Sequence, residues 1–364
     1  MNMSETGSPA TLGIITEYSL AWPNGLKMST HELVIKGDHI YVTGQLNDMV
    51  ARFNMKTATF EYFSMAEGIL KPEVESGNWP HGLLIDGNGN VWVSLETKGT
   101  VARLDDDGKI VEEIDVKMYV QGAPGPINTA PHGICIGADG VTIWFTGKRT
   151  STVGRINPDK TVEHFQLPTL AALPIFLSAG ADNGIWGTEL FGSNILHVPE
   201  KSVEVEEYPI PTANSRPIGV IPDPRGRYMW FTEEAGVKIG RIDMEETDKN
   251  KSITEFAVPA LQKNDILGSL AFDSEYNLWV QVYADYKNPV ASGYAPPDYD
   301  YIIKIDQSIR GLQTSDVSGV SFTTHTLPSK MAMLHRIKMA ADGNLWFTEM
   351  MTDRLGKINV TMPQ

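Results

Sequence analysis

A single cysteine, Cys135, leaves this 364-residue chain without any possible internal disulfide, so a reducing compartment is the natural one. It lies in the apolar run GICIG and is expected to be a buried core residue. Basic residues are also scarce: 30 Lys and Arg stand against 45 Asp and Glu, a net charge of −15. That balance disfavours nucleic acid and anionic lipid, whose phosphates demand a basic face. No apolar run reaches membrane-spanning length, and Met1 to Gly13 contains neither a basic stretch nor an apolar core of the export type. The expectation is a soluble, cytoplasmic monomer with neither nucleic acid nor membrane as partner. Missing as well are a Gly-rich phosphate loop, a paired CxxC and a GxSxG elbow.

One short phrase is abundant instead. It has a Pro-His-Gly-like start, an apolar run, a Gly-rich turn and then Trp-Phe-Thr-Glu. Clear copies are PHGLLIDGNGNVWVSLE at 80–96, PHGICIGADGVTIWFTG at 131–147 and HRIKMAADGNLWFTE at 335–349. Weaker copies bring the aromatic anchors to Tyr41, Trp92, Trp144, Trp186, Trp230, Trp279 and Trp346. A period of roughly 50 residues signals a propeller or solenoid. Residues 80–116 read as four short runs rich in β-branched and aromatic residues, separated by Asp/Asn/Gly hairpin turns. This is one four-stranded antiparallel blade. The fold class is therefore all-β: a seven-bladed β-propeller forming a single domain over residues 1–364. The copy containing Trp346 lacks a fourth strand, whereas IITEYSL at 14–20 is an outer strand without a preceding blade. The N-terminal strand is predicted to complete the blade at 335–360, pairing near 355–359 and removing an open edge.

In such a meander the start of the innermost strand and the end of the second lie on one face. Aligning the copies puts His31, His81, His132 and His335 at one position in blades one, two, three and seven. Ile175, Ile218 and Gly268 fill it in blades four to six. One side of the mouth is then imidazole-lined and the other apolar, which suits a small amphipathic organic molecule. His31, His81 and His132 are candidate substrate contacts, or else scaffold residues bonding neighbouring loops. Glu189, Glu233 and Glu349 end the second strand in matching register, with Glu96 one place further on. Carboxylates converging on an axis favour a hard cation such as Mg²⁺ or Ca²⁺; otherwise each caps or salt-bridges within its own blade. Four histidines could alternatively hold zinc or iron. Tyr283 opens the long loop YADYKNPVASGYAPPDYDY at 283–301, either a lid over an aromatic ligand or a rim decoration.

The repeated PHG…DGNxWFTE…VGRI pattern resembles the virginiamycin B lyase (streptogramin B lyase) family of seven-bladed propellers. The likeness runs the length of the chain and is most specific in HRIKMAADGNLWFTEMMTDRLGKI at 335–358. The resemblance implies linearisation of a cyclic depsipeptide by elimination, without water, using a histidine base and Mg²⁺. It makes His335 the base and Glu349 a metal ligand and part of the catalytic set. Imidazole near pH 7 can take a proton alpha to an ester carbonyl, and a divalent cation can stabilise the enolate-like charge that develops. Two positions depart from the family. Its second metal carboxylate falls on Met333, and its substrate-contacting histidine on Gly268. Mg²⁺ or another divalent cation would then draw on Glu233 and Glu189 beside Glu349. The other expectations are a lactone or ester hydrolase on the same propeller, with a metal activating water, and a non-catalytic binding propeller.

Overall fold

The computed structural model describes residues 13–69, 77–285 and 299–360. They form seven four-stranded antiparallel sheets, one for each aromatic anchor. The innermost strand of each sheet touches its two counterparts, and the innermost strand of the seventh, Leu334–Met339, returns to that of the first, Thr30–Lys36. The last sheet is completed by Ile15–Ser19, with Ile15 opposite Ile358 and Ser19 opposite Arg354. Glu17 of that strand accepts hydrogen bonds from Arg354 at 2.6 Å and from Ser329 Oγ of the sixth blade at 2.7 Å. Helix among the described residues is confined to a 3₁₀ turn at Gln307–Gly311. None is long and apolar enough to cross a membrane.

Burial follows the position of each strand in its blade. Second strands such as Val91–Leu95 are buried at every residue, because both faces of a blade pack against neighbouring blades, so they read as continuous apolar runs. Outer strands such as Ile110–Asp115 are only partly buried and carry charge. The anchors Trp186, Trp230, Trp279 and Trp346 are among the largest fully buried side chains. Each indole N–H donates to the aspartate of its own hairpin turn: Trp186 to Asp182 at 3.1 Å, Trp230 to Asp223 at 3.0 Å, Trp279 to Asp273 at 2.8 Å. The Asp-Gly turn and the tryptophan are thus one unit, which is why they recur together.

The threonine of Trp-Phe-Thr-Glu joins the blades. Each innermost strand bulges at the His-Gly position, for example between Pro80 and Leu83, and the bulge takes one backbone N–H out of the ladder. In blade two the freed Gly82 N–H donates to Ser94 Oγ at 2.8 Å, and Ser94 donates to the His132 carbonyl of the next blade at 2.9 Å. The relay recurs as Glu32 to Thr43 to the His81 carbonyl, Gly219 to Thr232 to the Gly268 carbonyl, and Arg336 to Thr348 to the His31 carbonyl. In blade six Gln281 does the same work, accepting from Ser269 N–H and donating to the Arg336 carbonyl, both at 3.0 Å. Blades approach so closely here that a Cβ on Gly82 or Gly133 would lie 2.3 or 2.2 Å from the next blade's carbonyl oxygen.

Thr232→Val keeps the shape but strands both the Gly219 amide and the Gly268 carbonyl. It is expected to destabilise the fold by about 1–3 kcal/mol, because each orphaned buried group carries its full desolvation cost. Urea denaturation checks this, and an unchanged midpoint would show that the relay carries no stability.

Candidate active site

The same bulge aims the histidines. Two residues on the inner strand oppose one on its partner, so His31, His81, His132 and His335 turn toward the channel axis instead of lying between blades. The four rings are in contact: centroids lie 3.5 Å apart for His81 and His132, 5.0 Å for His31 and His335, and 5.3 Å for His31 and His81. They line one side of a mouth of about 260 Å³, with Ile175, Ile218 and Gly268 opposite. The imidazoles lie on one side as the repeat position predicts, but Arg216 and Glu234 join Ile175 and Ile218 on the other, which is therefore not wholly apolar. Tyr283 lines the mouth too. Residues 286–298, most of the loop that follows it, lie outside the described residues.

The four imidazoles differ in environment. Burial pushes His81 and His132 well below the ordinary histidine value, and burial with the neighbouring His335 drives His31 down to about 3. His31 Nδ1 donates to the Ser29 carbonyl at 2.8 Å and His132 Nδ1 to the Ile175 carbonyl at 3.1 Å, which fixes both tautomers. His335 instead meets a carboxylate: Nε2 lies 3.1 Å from Glu32 Oε1 of the neighbouring blade. Burial alone would raise Glu32, but Arg336, 2.7 Å away, and His335 outweigh it and hold the carboxyl at about 2. Arg336 also stacks on Phe176 from the far side of the ring, its Cζ 3.7 Å from the ring centroid, and donates to Ser269 Oγ at 3.3 Å. Glu32, Arg336 and Phe176 occupy the position that is glycine at Gly82, Gly133 and Gly219. Three absent side chains leave room for three large ones, and these plug the channel beneath the histidines.

Glu189, Glu233 and Glu349 are not brought together. All three are fully buried, and each faces the outer strand of its own blade: Glu189 toward Asn194 and Glu207, Glu233 toward Lys238 and Glu255, Glu349 toward Thr352 and Glu17. Burial lifts all three carboxyls to about 8. The residue aimed at the mouth is the next one along, since one step on a strand reverses the face. Around the ring that position holds Gln45, Glu96, Lys148, Leu190, Glu234, Tyr283 and Met350. Lys148 Nζ bonds Glu96 at 2.9 Å and Gln45 donates to Glu96 at 3.0 Å. Opposite them, Arg216 bonds Glu234 at 2.5 Å, Tyr283 Oη donates to Glu234 at 2.8 Å, and Arg216 Nε–H is buried with no hydrogen-bond partner among the described residues. The offset of Glu96 from the other glutamates was the sequence signal for this second ring.

Magnesium takes oxygen ligands, several of them carboxylate or water. Among the described residues one group of three metal-capable side chains converges, Glu32, His81 and His335, with ligand atoms within 4.8 Å of one another. Two are nitrogen donors, and the single carboxylate is already engaged by Arg336. This donor set does not fit Mg²⁺.

Fold and mouth together define a seven-bladed propeller with a cavity at one end of its channel, lined by imidazoles on one side and by apolar residues with the Arg216–Glu234 pair on the other. Comparison with known proteins narrows the class. The family model described as the virginiamycin B lyase family matches residues 100–287, just over half of the chain, and the chain belongs to that family. A second model, the SMP-30/gluconolactonase/LRE-like region, matches residues 14–124. A curated relative, virginiamycin B lyase of Nocardia farcinica, is 33% identical over 147 residues, a match spanning 40% of this chain and only 47% of the relative. Among solved structures, a streptogramin B lyase superposes with a TM-score of 0.73 at 20% identity, covering 96% of this chain and 98% of the other. A catalytically inactive virginiamycin B lyase variant from Staphylococcus aureus, solved with quinupristin, gives 0.71 at 23%, covering 96% and 99%. These likenesses show a shared fold.

The three lifted carboxyls set a pH dependence of stability. Below the unfolded value near 4.5 each is protonated in both states. Between there and about 8 it keeps its proton only in the fold, so stability is expected to fall as pH rises through that window. Glu349→Gln, which mimics the protonated acid, is expected to flatten the decline. Thermal unfolding at pH 5 and pH 8 measures it; an equal loss in the variant would remove Glu349 as a contributor.

Proposed function

We propose that the chain is a carbon–oxygen lyase that opens a cyclic ester or depsipeptide, with His335 as the general base. The observation that carries this reading is the Glu32–His335 contact at the mouth, with Glu32 held ionised by Arg336. An ionised carboxylate 3.1 Å from Nε2 stabilises the imidazolium that forms when the other nitrogen, Nδ1, takes a proton. His335 is also half-buried while His81 and His132 are buried, so it is open to a ligand. Membership of the family and the kinship with virginiamycin B lyase support the reaction class.

In this scheme the ester lies across the mouth, with its apolar groups against Ile175 and Ile218. His335 Nδ1 removes the proton from the carbon next to the one that bears the ester oxygen, a proton acidified by the neighbouring residue's carbonyl and not by that of the ester bond that breaks. The resulting electron pair forms a carbon–carbon double bond as the C–O bond to the ester oxygen breaks, and a carboxylate leaves. Charge building on the carbonyl oxygen needs a fixed donor. Arg216 is the candidate, because its side chain lines the mouth and its Nε–H is unpartnered among the described residues while Nη2 pairs with Glu234. Glu32 acts through His335 and is a positioning residue.

A lactone hydrolase is the second reading, favoured by the match of residues 14–124 to the SMP-30/gluconolactonase/LRE-like region. Incubation with quinupristin in ¹⁸O-labelled water, followed by mass spectrometry, separates the two. Elimination yields an unsaturated linear product of unchanged mass and no label; hydrolysis adds one labelled water. His335→Ala is expected to lower kcat by about 10²-fold or more, and unaltered turnover would remove His335 as base. Glu32→Gln is expected to lower kcat about tenfold and to move the acidic limb of the pH profile to lower pH, since the imidazolium loses its anionic partner.

A further inference from the structure

Beyond the plug formed by Glu32, Arg336 and Phe176, the channel opens again at its other end into a cavity of about 470 Å³. Its wall contains the inner-strand residue that pairs with the aromatic anchor of each blade: Val34, Leu84, Cys135 and Ser178 in blades one to four, and Lys338 in blade seven. Blades five and six place Ile221 and Ala271 at that position. Six copies of the repeat are uncharged here and one is a lysine. The remaining wall is apolar, with Ile35, Leu83, Ile134, Leu177 and Met339 among its residues.

Nothing on this wall neutralises the lysine. Among the described residues no carboxylate lines the cavity, and Glu32, one layer away, is engaged by Arg336. Cys135 is half-buried, less enclosed than its apolar run suggested, yet burial pushes its thiol up to about 12, so it stays protonated. The Ser178 hydroxyl donates to the Ala179 carbonyl at 3.4 Å. The Lys338 side chain is exposed inside the concave mouth, but desolvation by the apolar walls, and then Arg336, pull its ammonium down to about 8. An amine so placed gains from an anion that brings its own hydrocarbon along, and loses little to competing contacts.

We propose that this second mouth binds an amphipathic monocarboxylate, its head on Lys338 and its unbranched alkyl tail along Leu83, Ile134 and Leu177. The proportions are those of a ligand site: mostly apolar lining with one placed polar group. Charge complementarity selects the anion, and the absence of a second cation on the wall selects a single negative charge over a phosphate or dicarboxylate. With a net charge of −15, the surface elsewhere repels such a ligand, so binding should depend sharply on this one residue. The site lies on the far side of the plug from His335 and is independent of the lyase reading.

Decanoate is the probe, titrated calorimetrically into the full chain. One equivalent is expected to bind, with affinity falling as pH rises through 8. Lys338→Met, which keeps length and apolar character, is expected to weaken decanoate about tenfold or more, while Lys338→Arg retains binding and His335→Ala leaves it unchanged. Decan-1-ol should not distinguish Lys338→Met from the unmodified chain. Absence of decanoate binding overturns the proposal. So does equal affinity in Lys338→Met, or a loss in His335→Ala, which would place the ligand at the other mouth.

Discussion

The hydroxyl relay between blades is the constraint on which the rest of the molecule depends. A bulge is needed to turn the inner-strand residue toward the axis, and every bulge strands an amide. The threonine or serine two residues past the anchor accepts from that amide and passes its own proton to the carbonyl of the next blade. One side chain therefore satisfies the defect, fixes the spacing between blades and holds the mouth-facing residue in place. At Gly82 and Gly133 the next blade's carbonyl lies so close that no Cβ fits.

Within that frame, function is written in departures from the repeat. Three inner-strand positions face the channel, and each is broken differently. The first changes from histidine to apolar across the ring. The second is glycine or, at Ser269, serine except where Glu32, Phe176 and Arg336 fill the axis. The third is uncharged except at Lys338. Because the blades are geometrically alike, a side chain that differs from its six counterparts meets surroundings built for something else, and its ionisation or reactivity shifts accordingly.

The ring, its seven blades and its closing strand were legible because period, turn chemistry and the missing fourth strand are properties of the chain alone. The histidines were legible too, since they share one repeat position and the topology carries them to one face. The glutamates show where such reasoning ends. Glu189, Glu233 and Glu349 align faultlessly, yet their register points them between blade layers, and only the next residue reaches the mouth. Alignment tells which residues are equivalent but not which way a strand end turns. Glu32 was invisible for another reason: it stands where other blades have glycine, and its partners come from the opposite end of the chain.

That last separation has a temporal consequence. Glu32 lies 304 residues from Arg336 in sequence, and the same seam joins His31 to the last blade through Thr348. No ribosome-bound intermediate short of the seventh blade can hold the pair, however well its earlier blades have folded. The Glu32–Arg336 pair and the contact of Glu32 with His335 therefore form in one event, when the ring shuts, and not blade by blade during synthesis.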